Sequence, residues 1–318
     1  MSHATIILML LLGLILTVKG GDLFVDAAVW LSEALGIPRF LVGATVVSLA
    51  TTLPELAVSL LATARGSSGI AAGNAVGSVT ANLGLILGIS LCWSPAPLER
   101  RHAGRLLLMA GAAALLDLLG RGGAIALPWA WLPLGVCAGF LWHSAADGRR
   151  HTRTKSDRAA RPSPALLAGC GIRFVCGGAG IAAGARLLCD YGAALARLCG
   201  VPDGVIGATL VAVGTSLPEL VTALTALSRG ESSLSVGNIV GANIIDLTLI
   251  LPLCALLNGG RLALPRQSLA LDLPFCLVLC ALAVAPPLMT GRFRRGQGAA
   301  MLGLYAGYVA LVIQGADT

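Results

Sequence analysis

Charge is scarce in this chain: only 12% of its 318 residues are Asp, Glu, Lys or Arg, about half the share of a soluble domain. Aromatics are also few, at 6 Phe, 5 Trp and 3 Tyr, and there are only four His. So little charge leaves no means of clothing a water-soluble enzyme, a disordered chain, a coiled coil or a collagen-like rod. The nine Cys include no CxxC pair and mostly stand in apolar runs, so they read as small hydrophobic packers rather than disulfides or zinc ligands. His3, His102, His143 and His151 make no HExxH, and there is no GxSxG and no P-loop, which removes the support for a hydrolase or an ATP-driven pump. What the chain does have is 56% hydrophobic residues, a mean hydropathy of +0.86 and 41 Gly. That composition suits helices packed closely in lipid, where small residues let backbones approach.

A transmembrane helix takes about 20 apolar residues, so the length allows roughly ten spans and no soluble domain. Apolar runs place them near 5–29, 40–64, 69–92, 104–119, 124–142, 165–190, 204–228, 233–257, 269–288 and 298–314. The first lacks a basic leader and reads as a span, not a cleaved signal. One strongly polar stretch, 143–164, carries Arg149, Arg150, Arg153, Lys155, Arg158 and Arg161 against Asp147 and Asp157. It divides the chain into halves 1–142 and 165–318, each of five spans.

The halves match. A shift of 164 lays residues 43–87 on 207–251 without a gap and with 22 of 45 positions identical, and the same offset carries Gly20, Asp26, Gly36 and Pro38 onto Gly184, Asp190, Gly200 and Pro202. Five spans per copy is an odd number, so the second copy is inverted, a design of secondary transporters whose substrate sits where the copies meet. The expected fold is therefore an all-α polytopic membrane protein with about ten transmembrane helices in two inverted five-helix repeats. The basic excess of +7 reads as orientation rather than nucleic-acid binding. With 143–164 cytoplasmic, Arg100, Arg101, Arg105, Arg229, Arg292, Arg294 and Arg295 fall on the same side and both termini lie outside. A basic lipid- or partner-binding segment is the other reading of 143–164.

Each copy carries an acid inside a span: Ala50-Thr51-Thr52-Leu53-Pro54-Glu55 and Gly214-Thr215-Ser216-Leu217-Pro218-Glu219. An intramembrane carboxylate is costly, so it is by default a functional hypothesis. Pro54 and Pro218 lack an amide hydrogen and release the carbonyls of Ala50 and Gly214, which is tolerated at membrane depth where the backbone lines a cavity. Carbonyls, hydroxyls and two glutamates form hard oxygen ligands, suited to calcium, magnesium or sodium. A kinked helix with a protonated, hydrogen-bonded Glu is the structural alternative, and it must be invoked twice. The next span of each copy adds Gly73-Asn74-x-x-Gly77-Ser78-x-x-x-Asn82 and Gly237-Asn238-x-x-Gly241-Ala242-x-x-x-Asp246, in which Ser78 and Asn82, like Ala242 and Asp246, share a face one turn apart. Asp22, Asp26 and Asp190 are read as lying near membrane ends or pairing with Lys19 and Arg186, and Asp117 and Asp272 as structural or interfacial.

These paired motifs resemble the calcium:cation antiporter superfamily, in particular the prokaryotic sodium/calcium exchangers, whose two inverted α-repeats carry GTSLPE and GNxxGSNxxN/D signatures. The resemblance covers 43–88 and 207–252, and Gly21-Asp22-Leu23-Phe24-Val25 is similar to the family's first helix. It implies that Glu55 and Glu219 are shared calcium and sodium ligands. Thr51 and Thr215 would add carbonyls and hydroxyls, Thr52 and Ser216 hydroxyls, and Ser48 and Ala212 further carbonyls. Ser78 would serve a sodium site and Asn82 and Asp246 the central position, while the first and sixth helices slide to switch access. Ala50, Thr52, Val79 and Ala242 depart from the pattern, and Ala242 removes a sodium-liganding hydroxyl.

The expected function is thus a secondary antiporter of calcium against sodium in a prokaryotic plasma or inner membrane. A calcium:proton antiporter is the close alternative and a cation channel a remote one. Calcium, sodium and the lipid bilayer are the expected partners, with no enzyme activity, no cofactor, no nucleic acid and no obligatory protein partner.

Overall fold

The computed structural model describes residues 3–95, 102–156, 163–199 and 212–316. They form ten helices in sequence order: α1 (His3–Leu35), α2 (Arg39–Ala64), α3 (Ser68–Trp93), α4 (Ala103–Gly120), α5 (Leu127–Ser156), α6 (Pro164–Leu198), α7 (Leu217–Ser228), α8 (Ser232–Leu257), α9 (Ser268–Thr290) and α10 (Arg295–Ala316). Eight of them are long and apolar enough to cross a membrane. The others are α5, which carries three exposed Trp, Trp129, Trp131 and Trp142, and the shorter α7, preceded by the turn Ala212–Thr215. Residues 204–211 of the expected seventh span lie outside the described residues.

Four stretches of the chain differ from the expectation drawn from sequence. The 143–164 segment is not simply a loop, because residues 143–156 continue α5 as helix; 157–162 lie outside the described residues. Arg105 stands inside α4, buried, with its guanidinium on Asp147 at 2.8 Å. Residues Ala124–Ala126 form a strand paired antiparallel with Arg261–Ala263, Ile125 opposite Leu262, so a small two-stranded ribbon joins the ends of α4 and α8 in an otherwise helical protein. The α-helix also runs unbroken through Pro54, whereas at the equivalent place in the second copy it breaks at Ser216, whose φ/ψ is −88°/5°.

The inverted relation is visible in the packing. At α1–α6, a Cβ on Gly20 would stand 2.8 Å from the Gly177 carbonyl, and one on Gly184 2.6 Å from the Gly13 carbonyl. These two contacts are one contact repeated, since 13 and 20 become 177 and 184 under the shift of 164. Partners fall in number along α6 as they rise along α1, so the helices are antiparallel. In the centre, α2 crosses α8 backbone to backbone: Cβ atoms on Gly237 and Gly241 would collide with the carbonyls of Phe40 and Ala44. Only glycine allows that approach, and it brings the motif helices of opposite copies into direct contact.

The contacts also sort the basic residues by end. Arg39 bridges Glu33 and Glu231, Phe40 stacks on buried His102 at 3.9 Å, and Cys92 reaches the Arg295 carbonyl. Hence Arg39, Arg105, Arg229 and Arg295 share one end with their chain neighbours Arg149, Arg150, Arg292 and Arg294, which makes it the more basic end. Arg65, Arg121, Arg261 and Arg266 share the other, tied by the strand pair and by Pro265 against Gly69.

Candidate cation site between the two copies

Three carboxylates meet in the middle of this bundle. Glu55 and Glu219 are fully buried and Asp246 is 1% exposed. Both oxygens of each lack a hydrogen-bond partner. Glu55 lies within electrostatic reach of Glu219 and Asp246, and Asp246 of Glu219. Buried polar groups in folded proteins are almost always satisfied, and here the carboxylates neighbour one another, with the Thr51 side chain beside Glu219. The Thr52 and Ser216 hydroxyls and the Asn82 side-chain carbonyl oxygen are likewise buried without one. Ordinary buried hydroxyls in the same helices behave differently: Thr80, Ser90 and Thr248 each donate to their own i−4 carbonyl. The unpartnered carboxylate oxygens all belong to the two motifs, although the buried hydroxyls of Ser144, Thr222 and Ser235 outside them also lack a partner.

The motif helices hold the remaining groups in place across the copy boundary. The Thr51 hydroxyl lies 3.3 Å from the Ser48 carbonyl and 3.4 Å from Asn238 Oδ1, and Ser78 Oγ lies 3.5 Å from Thr215 Oγ1. Ser48 is fully buried, its hydroxyl on the Thr45 carbonyl at 3.1 Å. Ala212 opens the turn that ends at Thr215. Asn82 and Asp246 each begin a widened π-helical turn, Asn82–Leu87 and Asp246–Ile250. Such turns leave backbone groups unpaired and recur at functional sites.

Three asparagines are not picked out as site residues by sequence, although two of them stand in the paired motifs. Asn74 donates to the backbone carbonyl of Glu55 at 3.0 Å and to Ser59 Oγ at 2.8 Å, locking α3 to the glutamate turn. In the second copy Ala223 stands where Ser59 would be, and Asn238 Nδ2 has no partner. Asn243 accepts a bond from Asn82 Nδ2 at 3.1 Å. Its counterpart is Val79, so no amide faces Asp246 in return, and Asp246 keeps both oxygens unpartnered.

Among the described residues, no three His, Cys, Asp or Glu side chains gather as a metal cage by themselves. Neutral hydroxyl and carbonyl oxygens must complete any coordination, which is the ligand set of hard cations.

The other acids have local partners. Asp22 and Asp26 pair with Arg229, not with Lys19 or Arg186; Arg186 does lie 3.7 Å from Asp190. Asp117 sits with Arg121 at the end of α4. Asp272 is buried but satisfied by Ser268, Gln267 and Tyr308.

The family model described as "Sodium/calcium exchanger protein" matches residues 5–145 and 171–314. The chain belongs to the sodium/calcium exchanger family. It is 30% identical to the sodium/calcium exchanger MaX1 of Methanosarcina acetivorans, over 96% of this chain and 97% of that protein. It is 33% identical to the inner membrane protein YrbG of Escherichia coli, over 80% of each. It is also similar to the solved sodium-calcium exchanger NCX_Mj, with a TM-score of 0.84 and 28% identity over 96% of this chain and 98% of that one. As a member of the exchanger family, this chain is a multi-pass membrane transporter for cations.

Proposed function

We propose that the chain exchanges calcium for sodium at one shared site formed by Glu55, Glu219, Asp246 and Asn82. The hydroxyls of Thr51, Thr52, Thr215, Ser216 and Ser78 and the carbonyls around Ser48 and Ala212 complete the shell. The observation that carries this reading is the set of buried, unpartnered carboxylate oxygens on both copies of the repeat. A divalent cation between Glu55 and Glu219 offsets both charges, and sodium ions in the same oxygens do so singly. Because the ions compete for the same ligands, they cross in alternate half-cycles, and the site opens to one side at a time.

Among the described residues the two ends are unequally buried, which supports alternating access. At the basic end, Phe24, Val25, Ala28, Val42, Val47, Ala226 and Leu234 form a buried apolar cluster. Leu234 is fully buried, while its inverted counterpart Ile70 is 60% exposed. By the positive-inside rule the basic end is cytoplasmic and both termini are outside, which makes this the state closed to the cytoplasm. The membrane would be the plasma or inner membrane of a prokaryote.

Proteoliposomes holding the full chain test the reading. Calcium uptake should follow an outward sodium gradient. Uptake that ignores sodium and follows a pH gradient would replace sodium with protons, the second reading, which the missing hydroxyl at Ala242 favours. Fast flux indifferent to any counter-ion gradient would mean a channel and overturn both.

A further inference from the structure

At the basic end, α1 is tied to the turn between α7 and α8. Arg229 in that turn donates to Asp22 at 2.8 Å and also to Asp26. Beside this contact, Gly21 of α1 has Thr225 and Val221 of α7 against it. The shift of 164 turns Arg229 into Arg65, Asp26 into Asp190 and Asp22 into Arg186. At that opposite end the contact is absent among the described residues. Arg65 is exposed and has no ion pair there, and Asp190 pairs only within its own helix, with Arg186. Leu61, the counterpart of Thr225, is 57% exposed. The α1–α6 pair, joined backbone to backbone at its glycines, therefore leans on the second copy at one end and stands off the first copy at the other.

We propose that Arg229 and Arg65 are reciprocal positioning residues of the exchange cycle, Arg229 holding α1 in the state seen here and Arg65 receiving Asp190 in the inverted state. The proposal rests on the alternating-access reading above. An inverted repeat can present the same two arrangements with the copies exchanged, and an ion pair that exists in one copy only is the mark of which arrangement is occupied.

The two latches are unequal by sequence. Arg229 faces two carboxylates, whereas Arg65 would meet one carboxylate already shared with Arg186. The present state is favoured as a result, since like charge opposes the reciprocal contact. Arg229 is 34% exposed and Asp22 and Asp26 are 39% and 54% exposed. Half-exposed pairs of this kind are individually weak, so together they bias the two states by about three- to ten-fold. Neither arginine touches the cation site, and both act only through the position of the α1–α6 pair.

The test uses the full chain in vesicles of uniform orientation, with the apparent calcium affinity measured separately from each side. Arg229→Ala should raise the affinity at the basic end and lower it at the other, each by about three- to ten-fold. Arg186→Asp, which gives Arg65 a second carboxylate, should shift both in the same sense, and the swap Arg229→Asp with Asp26→Arg should restore the wild-type ratio. A merely structural role would lower transport from both sides together. That outcome, or a ratio of the two affinities unchanged by both Arg229→Ala and Arg186→Asp, overturns the latch. If Arg229→Ala fails to insert, Arg186→Asp decides alone. A wild-type chain that moves no calcium defeats the exchange reading itself, whereas normal exchange with an unmoved ratio defeats only the latch.

Discussion

Asp246→Asn separates charge from geometry at the cation site. The second copy has Asp246 where the first has Asn82, so the variant places the same amide in both copies and leaves Glu55 and Glu219 untouched. With Glu55, Glu219 and Asp246 ionised, the site carries three negative charges, and one calcium ion leaves one of them uncovered. A single charge at the centre of a membrane helix costs about 2.5–3.5 kcal/mol, which would make an uncompensated occluded state on the order of a hundred-fold rarer. The wild-type cycle must therefore move that charge across the membrane or cover it with a further cation or proton. In the variant two charges remain, calcium matches them, two sodium ions match them, and exchange is electroneutral. One elementary charge is worth about 2.3 kcal/mol per 100 mV, so an electrogenic exchanger shifts its steady-state calcium ratio by about 50-fold over that range. The assay is the steady-state calcium gradient in proteoliposomes with clamped potential and clamped pH. Wild type should respond to potential or to the proton gradient, and Asp246→Asn to neither while still exchanging calcium. A variant that keeps the wild-type response, or that loses calcium exchange as fully as Glu55→Gln, would refute this reasoning.

Glu55→Gln and Glu219→Gln each remove one of the paired charges on calcium, and each should lower sodium-driven calcium uptake by at least about a hundred-fold; retention within ten-fold in either would remove that residue from the site. Ala242→Ser returns the hydroxyl that Ser78 supplies in the first copy and should raise apparent sodium affinity with little change for calcium, read from sodium inhibition of calcium uptake; an unchanged sodium response would show that Ala242 is not the missing ligand. Gly237→Ala drives a Cβ into the Phe40 carbonyl and should destabilise the detergent-solubilised protein by about 2 kcal/mol or more, since neither backbone can yield. Gly111→Ala, on a lipid-facing stretch of α4 with nothing within 4 Å, should be neutral or stabilising by up to about 1 kcal/mol, and equal melting temperatures for the two variants would contradict the packing argument.

The repeat and both glutamates were legible in the sequence because an acid inside an apolar run is too costly to persist without a role, and here it recurs after 164 residues. The partners of Asp22 and Asp26 were not. Sequence proximity suggests bases on the same helix or its neighbours, whereas the base that answers them is Arg229, brought close by the packing of α1 against α7. The continuation of α5 to Ser156 was hidden by a different effect: charged residues break a hydropathy run without breaking a helix, so the apolar stretch ended before the helix did. The Ser216 break without an equivalent at Pro54 lies beyond pattern reading altogether. Both prolines remove the same amide, and only the surrounding packing decides whether the helix bends or parts.

Several of the differences between the copies fall on the site and its latches. Ser59 and Ala223, Val79 and Asn243, Ser78 and Ala242, Asn82 and Asp246, and Asp22 and Arg186 are all pairs in which one copy keeps a polar or acidic group that the other lacks. A perfectly symmetric site would carry an even number of carboxylates, two with asparagine at both central positions or four with aspartate at both. Either number can be balanced by divalent ions alone or by pairs of monovalent ions, so both loaded states can be neutral. The Asn82–Asp246 difference makes the number odd. Calcium by itself then leaves a remainder, and the step that removes the remainder must use sodium, a proton or the membrane potential. The charge moved in each exchange cycle, rather than the exchange itself, thus follows from one residue of divergence between copies, and Asp246→Asn is the substitution that should remove it.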